Sequence, residues 1–364
     1  MSVNERPAAQ GPRDAVEVQL CDIWQAILNR PFVGVDDDFF DLGGDSLLAI
    51  RVIAEVDRLF GARLSPADFL TSPRVADVGS LIRTAGPMRA EMPLVRIQAG
   101  GKARSPLYLF HALSGTVLPY VSLARALGSE RTIWGLQSPG LNSGEAPLAS
   151  IEAMAATYLR HMREVHPGGT WHLAGYSFGG LIAFEAARRL SADAQEVGFV
   201  GLIDTAASTP QPPSEQQMLT NHLRNLARRV LHLDIDLEWL YRLPRDQQIS
   251  VLLKRGVAEG RLPADYDADR VHQLLKIRLH NRIVEAEYQP KPYAGKVVLF
   301  SSAATAADRH LGWDAYVDTI IEHKISDDEY STGSLDAHLA VLESDTVVEV
   351  SRVMHRYMRS ADIE

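Results

Sequence analysis

Apolar positions between residues 14 and 85 recur at helical spacing. A first stripe ends before Pro31, and a second begins at Ser46 and stops at Gly61, a residue suited to the position after a helix. Two further helix starts are indicated by a serine cap followed by proline, at Ser65-Pro66 and Ser72-Pro73. The pattern predicts an all-α domain built as a four-helix bundle, preceded by a flexible leader at residues 1–13.

Beyond a Gly/Pro-containing linker at residues 86–92, apolar runs of strand length alternate with helical stripes. The runs of strand length are 107–110, 132–136, 171–175, 197–203, 296–300 and 319–326. The helical stripes between and after them are 120–127, 151–165, 181–190 and 345–358. This alternation predicts a parallel α/β sheet over residues 93–364, with functional groups at the carboxyl ends of its strands. Only helical patterns occur at about 210–290, which predicts a helical lid insertion over that edge.

Composition and charge narrow the function classes. The 364 residues are 46% hydrophobic and 23% charged, and a net charge of −9 without a long Lys/Arg block argues against a nucleic-acid partner. No apolar run approaches membrane-spanning length and no signal peptide is recognisable, so no membrane association is expected. The single cysteine, Cys21, cannot form an intramolecular disulfide or a cysteine-based zinc site. We expect a cytoplasmic protein without a metal, in which Cys21 packs within a helix.

The pattern G-x-S-x-G places Ser177 between the strand at 171–175 and the helix that follows it. The flanking Gly175 and Gly179 keep side chains out of a tight bend, from which a serine hydroxyl would project. The helix N-terminus behind the bend supplies N–H groups for a developing oxyanion. Ser177 is therefore the candidate nucleophile of an α/β-hydrolase.

A serine nucleophile of this fold needs an acid and then a histidine, in that order along the chain. Asp204 ends the strand after the elbow, and His338 lies in a loop before the last helix. We therefore predict a Ser177–Asp204–His338 triad, in which the histidine takes the hydroxyl proton and the carboxylate fixes its tautomer. Groups that compete for these roles are Asp308 as the acid and His310 or His323 as the base.

The segment from Asp38 to Leu47 reads Asp-Phe-Phe-Asp-Leu-Gly-Gly-Asp-Ser-Leu. Taken alone, Asp45-Ser46 is compatible with an ordinary helix cap. The whole segment, however, resembles the core motif of acyl and peptidyl carrier proteins, and most closely the peptidyl carriers of nonribosomal peptide synthetases. That resemblance implies a carrier domain whose Ser46 bears 4′-phosphopantetheine, a phosphodiester placed at a helix N-terminus.

Residues 93–364 resemble the type I thioesterase domains that end nonribosomal peptide and polyketide assembly lines. The matching pieces are Phe110–Gly115, Gly175–Gly180, Leu202–Thr205, Gly312-Trp313 and Asp336–His338. The resemblance implies a thioesterase with oxyanion donors at the backbone N–H groups of Leu113 and Phe178, and it favours Asp204 as the acid. His111 is expected to shape the first loop. Two departures are Ala112, where proline is usual, and an extra residue in Asp336-Ala337-His338.

The favoured function is that of a terminal carrier–thioesterase. An acyl or peptidyl thioester on Ser46 would pass to Ser177 and leave by hydrolysis or macrocyclisation. Expected partners are upstream condensation and adenylation modules and a phosphopantetheinyl transferase that docks on acidic residues near Ser46. A proofreading or non-catalytic docking scaffold is the alternative, and the carrier motif argues against a free-standing esterase or lipase. The acyl chain and the oligomeric state stay open, and the sequence fits either the end of a larger synthetase or a stand-alone protein.

Overall fold

The computed structural model describes most of the chain in two units. Described residues are 11–62, 64–84, 93–101, 103–141, 146–207, 214–231, 233–259, 268–302, 309–325, 341–342 and 346–362. One unit comprises Met1–Ala90 and Ser214–His272, and the other comprises Glu91–Pro213 and Gln273–Glu364. The predicted functional residues at 177 and 204 therefore belong to the second unit, and the predicted carrier serine to the first.

The helices of the described residues follow the predicted helical stripes, and three short helical turns occur in addition to them. They are α1 (Ala15–Leu28), α2 (Ser46–Phe60), α3 (Pro66–Thr71), α4 (Val75–Thr84), α5 (Val121–Leu127), α6 (Ile151–Val165), α7 (Phe178–Ala192), α8 (Glu215–Asn225), α9 (Leu237–Arg242), α10 (Arg245–Ala258), α11 (Ala268–Glu287) and α12 (Thr346–Ala361). Further helical turns occupy Leu118–Tyr120, Leu226–Val230 and Arg309–Ala315. The description of the first segment as a bundle and of the insertion as a lid stays a prediction.

Local capping explains where the first helices begin and end. Asp14 accepts a hydrogen bond from the N–H of Glu17 at 2.9 Å and so caps α1. Gly61 follows α2 with φ +61°, the left-handed conformation expected after a helix. Aromatic rings then build the core of this segment, because Trp24, Phe39 and Phe69 are fully buried with ring centroids 5.2–5.7 Å apart.

The predicted helix start at Ser72-Pro73 is wrong. Ser72 instead ends α3, and α4 begins only at Val75. The two residues between them are used in pairing: the carbonyl of Pro73 accepts the N–H of Phe39 at 2.9 Å, and Arg74 forms a β-bridge with Asp38. This long-range pairing overrides the local cap signal, and Ser65-Pro66 alone opens a helix as predicted.

The second unit is organised around a seven-stranded sheet in the order β1-β3-β2-β4-β5-β6-β7. Its strands are β1 (Leu94–Gln98), β2 (Leu107–Phe110), β3 (Ile133–Leu136), β4 (Trp171–Tyr176), β5 (Val197–Ile203), β6 (Tyr293–Ser301) and β7 (Val317–Lys324). The sheet is not wholly parallel as expected, because β1 lies antiparallel to β3 at the edge. The sequence did not predict β1. The remaining pairs are parallel, so β2, β4, β5 and β6 end at one edge.

Buried aromatic side chains pack between the sheet and its helices. Tyr108, Trp171, Phe184 and Trp313 are fully buried within one hydrophobic core. Asp362 follows α12 and binds the buried side chains of Arg131 and His172. The sheet thus forms a rigid frame for the loops at its carboxyl edge.

Candidate functional site

Ser177 occupies a sharp turn between the buried strand β4 and helix α7. Its backbone has φ +54° and ψ −124°, a strained conformation for a residue with a side chain. The turn is fixed from both sides: the Ser177 N–H donates to the carbonyl of Ile203 at 2.8 Å, and the Ser177 carbonyl accepts the N–H of Gly180 at 2.9 Å and the Thr205 hydroxyl at 3.0 Å. The predicted nucleophile elbow is therefore present in the geometry of the chain.

Close backbone packing explains the glycines around Ser177. A Cβ at Gly175 would lie 2.1 Å from the backbone of Gly179, and one at Gly179 would lie 2.1 Å from the carbonyl oxygen of Phe110. A Cβ at Gly180 would meet the Thr205 hydroxyl, also at 2.1 Å. Strand β4, helix α7 and the end of β2 can approach this closely only without side chains. In the first turn of α7 the Gly180 N–H donates to the Ser177 carbonyl, and the N–H groups that open a helix have no acceptor one turn before them, so they are available to a negative charge at this end.

Asp204 stands at the carboxyl end of β5, the strand beside the elbow. It has φ +48°, is 3% exposed, and donates its own N–H to the carbonyl of Phe300 at 2.7 Å. Its carboxylate accepts the Ser302 N–H at 3.0 Å and the Ser302 hydroxyl at 2.9 Å. Two donors therefore hold the carboxylate in one orientation. The sequence did not indicate Ser302 as this partner, because the contact joins two different strands.

The loop after β2 is held by His111, which is fully buried. Its Nδ1 lies 2.8 Å from the carbonyl oxygen of Ala112, and its Nε2 lies 2.8 Å from the Tyr158 hydroxyl. A carbonyl can only accept, so Nδ1 carries the proton and Nε2 accepts from Tyr158. Burial lowers the pKa of His111 to about 4, so the ring is neutral near pH 7. This position confirms the expected loop-shaping contact of His111 and does not suit a general base.

Tyr120 connects this loop to the elbow. Its hydroxyl donates to the carbonyl of Phe110 and accepts the N–H of Tyr176 at 2.8 Å. Burial raises the pKa of Tyr120 well above its ordinary value, so the hydroxyl keeps the proton that it donates. The ends of β2 and β4 are therefore fixed relative to each other, and the sequence gave no sign of this contact.

Helix α11 contacts the same loop through its second half. The Asn281 side-chain amide donates to the carbonyl of Leu113 at 3.0 Å, and Ile277 packs where a Cβ at Gly115 would come within 2.8 Å. Gln273 and His280 add hydrogen bonds to the carbonyls of Gly140 and Leu148, each at 2.9 Å. Leu113, whose N–H is the predicted oxyanion donor, is thus held through the Ala112 carbonyl before it, which His111 binds, and through its own carbonyl, which Asn281 binds.

In the first unit, Ser46 is the first residue of α2. Asp45 precedes it and accepts the N–H of Leu48 at 2.8 Å, which caps the helix. Gly43 has φ +97°, and a Cβ at Gly44 would lie 2.3 Å from the ring of Phe39. The Gly-Gly pair therefore packs the loop against a buried aromatic ring and leaves Ser46 at a helix start, a position that suits a phosphodiester.

The predicted base and the rival acid lie outside the described residues, since His338 and Asp308 fall in ranges that the structure does not describe. The two rival bases are described. His310 binds the Asp314 carboxylate at 2.7 Å, and His323 lies within β7, stacked on Phe300 and 3.3 Å from the Tyr357 hydroxyl. His323 is therefore held by packing.

A cysteine nucleophile and a metal site are the other kinds of chemistry to consider in the described ranges. Cys21 is buried in α1, and burial raises its pKa to about 11, so the thiol is a poor nucleophile. Among the residues described, no group of three or more His, Cys, Asp or Glu is arranged to hold a metal ion. None of the helices in the described part of the chain is both long and apolar enough to span a membrane.

Two family models match the chain, one after the other. The model described as a phosphopantetheine attachment site matches residues 18–82, and the model of the thioesterase domain matches residues 105–251. The matched ranges contain Ser46 in the first case and Ser177 and Asp204 in the second.

Curated relatives are much longer than this chain. A dimodular nonribosomal peptide synthase of Bacillus subtilis (strain 168) is 29% identical over 80% of this chain, which spans 12% of that protein. An indigoidine synthase of Dickeya dadantii (strain 3937) is 37% identical over 49% of this chain, again 12% of the relative. The chain therefore corresponds to a small part of each of these relatives.

Solved structures of a nonribosomal peptide synthetase and of a thioesterase domain are also similar to this chain. The holo form of a four-domain nonribosomal peptide synthetase, bound to AMP and glycine, matches with a TM-score of 0.67 and 30% identity over 98% of this chain and 27% of its own. The Vlm2 thioesterase domain matches 72% of this chain and 96% of its own, with a TM-score of 0.51 and 23% identity, which supports the fold of the second unit.

Proposed function

The chain joins a phosphopantetheine carrier domain to a thioesterase domain, the architecture typical of nonribosomal peptide synthetase ends, and we propose that it releases an acyl or peptidyl chain through an ester on Ser177. The strained elbow carries this proposal: Ser177 has φ +54° at the start of α7, beside the buried and doubly hydrogen-bonded Asp204. Strain of this kind is typical of a positioned nucleophile.

We assign the first half-reaction to Ser177, His338 and Asp204. The Ser177 hydroxyl attacks the thioester carbonyl while His338 takes its proton, and Asp204 orients the imidazole and stabilises its charged form. The tetrahedral oxyanion is bound by the backbone N–H groups of Leu113 and Phe178. When it collapses, the carbon–sulfur bond breaks, the imidazolium returns the proton to the leaving thiolate, and an acyl ester remains on Ser177.

The second half-reaction repeats this chemistry with a new nucleophile. Water, or an amine or hydroxyl of the bound chain, attacks the Ser177 ester while His338 accepts its proton. The ester bond breaks and the proton passes to the Ser177 oxygen, which regenerates the enzyme. Water gives a free acid, and an internal nucleophile gives a ring. The oxyanion site serves both halves, so a change in the loop at Ala112 would act on both.

The carrier domain bears 4′-phosphopantetheine, and we assign its attachment to Ser46. The residues present fit this group, because Ser46 begins α2 after a Gly-Gly turn that a Cβ at Gly44 would block. When bound, the group supplies the thiol that carries the acyl chain as a thioester. The first turn of α2 would face the phosphodiester, and its dipole would stabilise the negative charge.

We further propose that the chain acts with adenylation and condensation modules upstream and with a phosphopantetheinyl transferase. Asp36 is exposed near Ser46 and suits a basic transferase surface, whereas Asp37 and Asp38 bind the N–H groups of their own loop. Because the arm derives from coenzyme A, we place the activity in the cytoplasm.

The assignment of Ser177 is tested with a fluorophosphonate probe and small acyl thioesters. The wild type is expected to gain one adduct, mapped to Ser177, and Ser177→Ala is expected to lose on the order of 10⁶-fold in turnover. Ser114→Ala, in the neighbouring loop, is the matched serine control and keeps the adduct. An unlabelled Ser177 with unchanged release in Ser177→Ala would contradict the assignment and leave a docking scaffold.

A further inference from the structure

Arg278 lies in the second half of helix α11. Arg278 has no hydrogen bond or ion pair in the part of the chain that the structure describes. Arg282, one turn further, is paired with the carboxylate of Glu285, which is 7% exposed. Lys276 on the same helix is exposed, so water solvates its charge. Of these three cations, Arg278 is the one that is half-buried without an ion pair to a described residue.

Arg278 is half-buried and its surroundings are unfavourable for charge. Burial is the main cause that lowers its pKa and the Arg282 guanidinium lowers it further, whereas the nearby Tyr176 phenol and Glu285 carboxylate act in the opposite direction, with a net shift downward. A guanidinium nevertheless stays protonated in proteins, so the side chain keeps its positive charge and its five N–H donors. A desolvated cation without a partner is costly unless it serves a ligand.

Its place on α11 puts Arg278 beside the catalytic loops proposed above. Ile277, the preceding residue, packs on Gly115, and Asn281, three residues on, binds the carbonyl of Leu113. Residues three apart lie on the same helix face. The phenol of Tyr176, the residue before Ser177, is close enough to raise the pKa of Arg278. The guanidinium therefore lies near the loops on which the proposed reaction takes place.

The geometry points to Arg278 as an anchor for a carboxylate on the acyl or peptidyl chain, so that this enzyme prefers chains with an acidic group. The inference rests on the proposed function, because it assigns the substrate class of the same site. A guanidinium binds a carboxylate with two parallel N–H···O bonds, which gives orientation as well as affinity. A peptide carbonyl would use only part of this donor set and would leave the charge uncompensated.

The test compares chains that differ only in charge. N-acetylcysteamine thioesters of glutaric, adipic and suberic acids are assayed beside the corresponding primary amides, because the three lengths place the carboxylate at different depths. The wild type is expected to prefer the carboxylate of at least one length. Arg278→Gln is expected to lower kcat/KM for that substrate by about 10- to 100-fold and to leave its amide within about threefold. Arg278→Lys should restore part of the loss.

Lys276→Gln is the matched control, since it removes the same charge from an exposed position of α11. It is expected to leave both substrate classes unchanged. Fluorophosphonate labelling of Ser177 is measured in all variants to show that the elbow is intact. Equal losses on acids and amides in Arg278→Gln, or no preference for acids in a wild type that labels and turns over, would overturn the inference alone. A wild type that neither labels nor turns over any thioester would overturn the proposed function, and the inference with it.

Discussion

At the scale of single residues, His111 shows how burial fixes a protonation state. Its ring has one neutral tautomer because Nδ1 donates to Ala112 and Nε2 accepts from Tyr158. A second proton would put a charge into a fully buried site, which is costly. The loop that carries the proposed Leu113 oxyanion donor therefore depends on a neutral histidine.

This predicts an acid sensitivity with a definite sign. The pKa of His111 is lowered from 6.5 to about 4, so its contribution to stability is present above pH 6.5 and is lost as pH falls from 6.5 toward 4. Between pH 7 and 5 the loss is about 2 kcal/mol. His111→Asn keeps a donor for the Ala112 carbonyl and does not titrate, so its urea midpoint should change less over this interval. An identical pH dependence in both proteins would refute the account.

At the scale of elements, α11 is a fixed support. Hydrogen bonds from Gln273, His280 and Asn281 tie it to three loop carbonyls, and Val284 and Tyr288 at its end belong to the hydrophobic core. The amide of Asn281 is fully buried and its Nδ2 reaches the Leu113 carbonyl. Asn281 is therefore a positioning residue for the oxyanion loop.

Replacing Asn281 with leucine is expected to remove the hydrogen bond to the Leu113 carbonyl while a side chain of similar volume still fills the space. We expect kcat to fall about tenfold with little change in KM, because a misplaced oxyanion donor affects the transition state. Steady-state kinetics on a small thioester give this separation. Gln273→Leu removes a similar hydrogen bond from α11 to a different loop and should leave kcat nearly unchanged. A rise in KM alone in Asn281→Leu would contradict the positioning role.

Local patterns predicted most elements and the elbow but not the contacts that support it. The G-x-S-x-G spacing and the buried runs of β4 and β5 are local, so Ser177 and Asp204 could be placed from sequence. The partners Ser302, Tyr120 and Asn281 come from distant parts of the chain, and such pairings leave no periodic signal. The same reason accounts for the missed β1 and for the wrong helix start at Ser72-Pro73, where pairing with the Asp38-Phe39 segment overrides a local cap.

At the scale of the whole molecule, the chain end is bound back to the centre of the sheet. The carboxylate of Asp362 accepts from Arg131 at 2.9 Å and from Arg104 at 3.2 Å, and it lies 2.9 Å from His172 Nε2 in β4. Arg131 and His172 are buried, and burial lowers the pKa of His172. Burial raises the pKa of Asp362, but the His172 hydrogen bond and the Arg131 charge together outweigh it, so the net shift of this pKa is downward. The stability that Asp362 and its partners contribute is therefore present at neutral pH and is lost as pH falls.

Asp362→Asn is therefore expected to destabilise the thioesterase unit by about 3 kcal/mol, because it leaves the Arg131 charge buried without a full partner. Urea unfolding at pH 7 measures this loss, and activity at low temperature should persist because the cluster is not part of the proposed site. Glu130→Gln is the matched control, since Glu130 binds Arg359 and His355 of α12 at the surface. It should leave stability nearly unchanged. Equal effects of the two variants would refute the cluster's role.

An acyl or peptidyl group is proposed to pass from the arm on Ser46 to Ser177 and then to leave the protein. Intact-protein mass spectrometry tests it most directly, after a promiscuous phosphopantetheinyl transferase and an acyl-coenzyme A have loaded the wild type, Ser46→Ala and Ser177→Ala. We predict that Ser46→Ala gains no mass, that Ser177→Ala gains and retains the acyl arm, and that the wild type gains it and loses the acyl group with time. The mass of the product then shows whether water was added or a ring was closed. Loading of Ser46→Ala, or loss of the acyl group from Ser177→Ala at the wild-type rate, would contradict the claim.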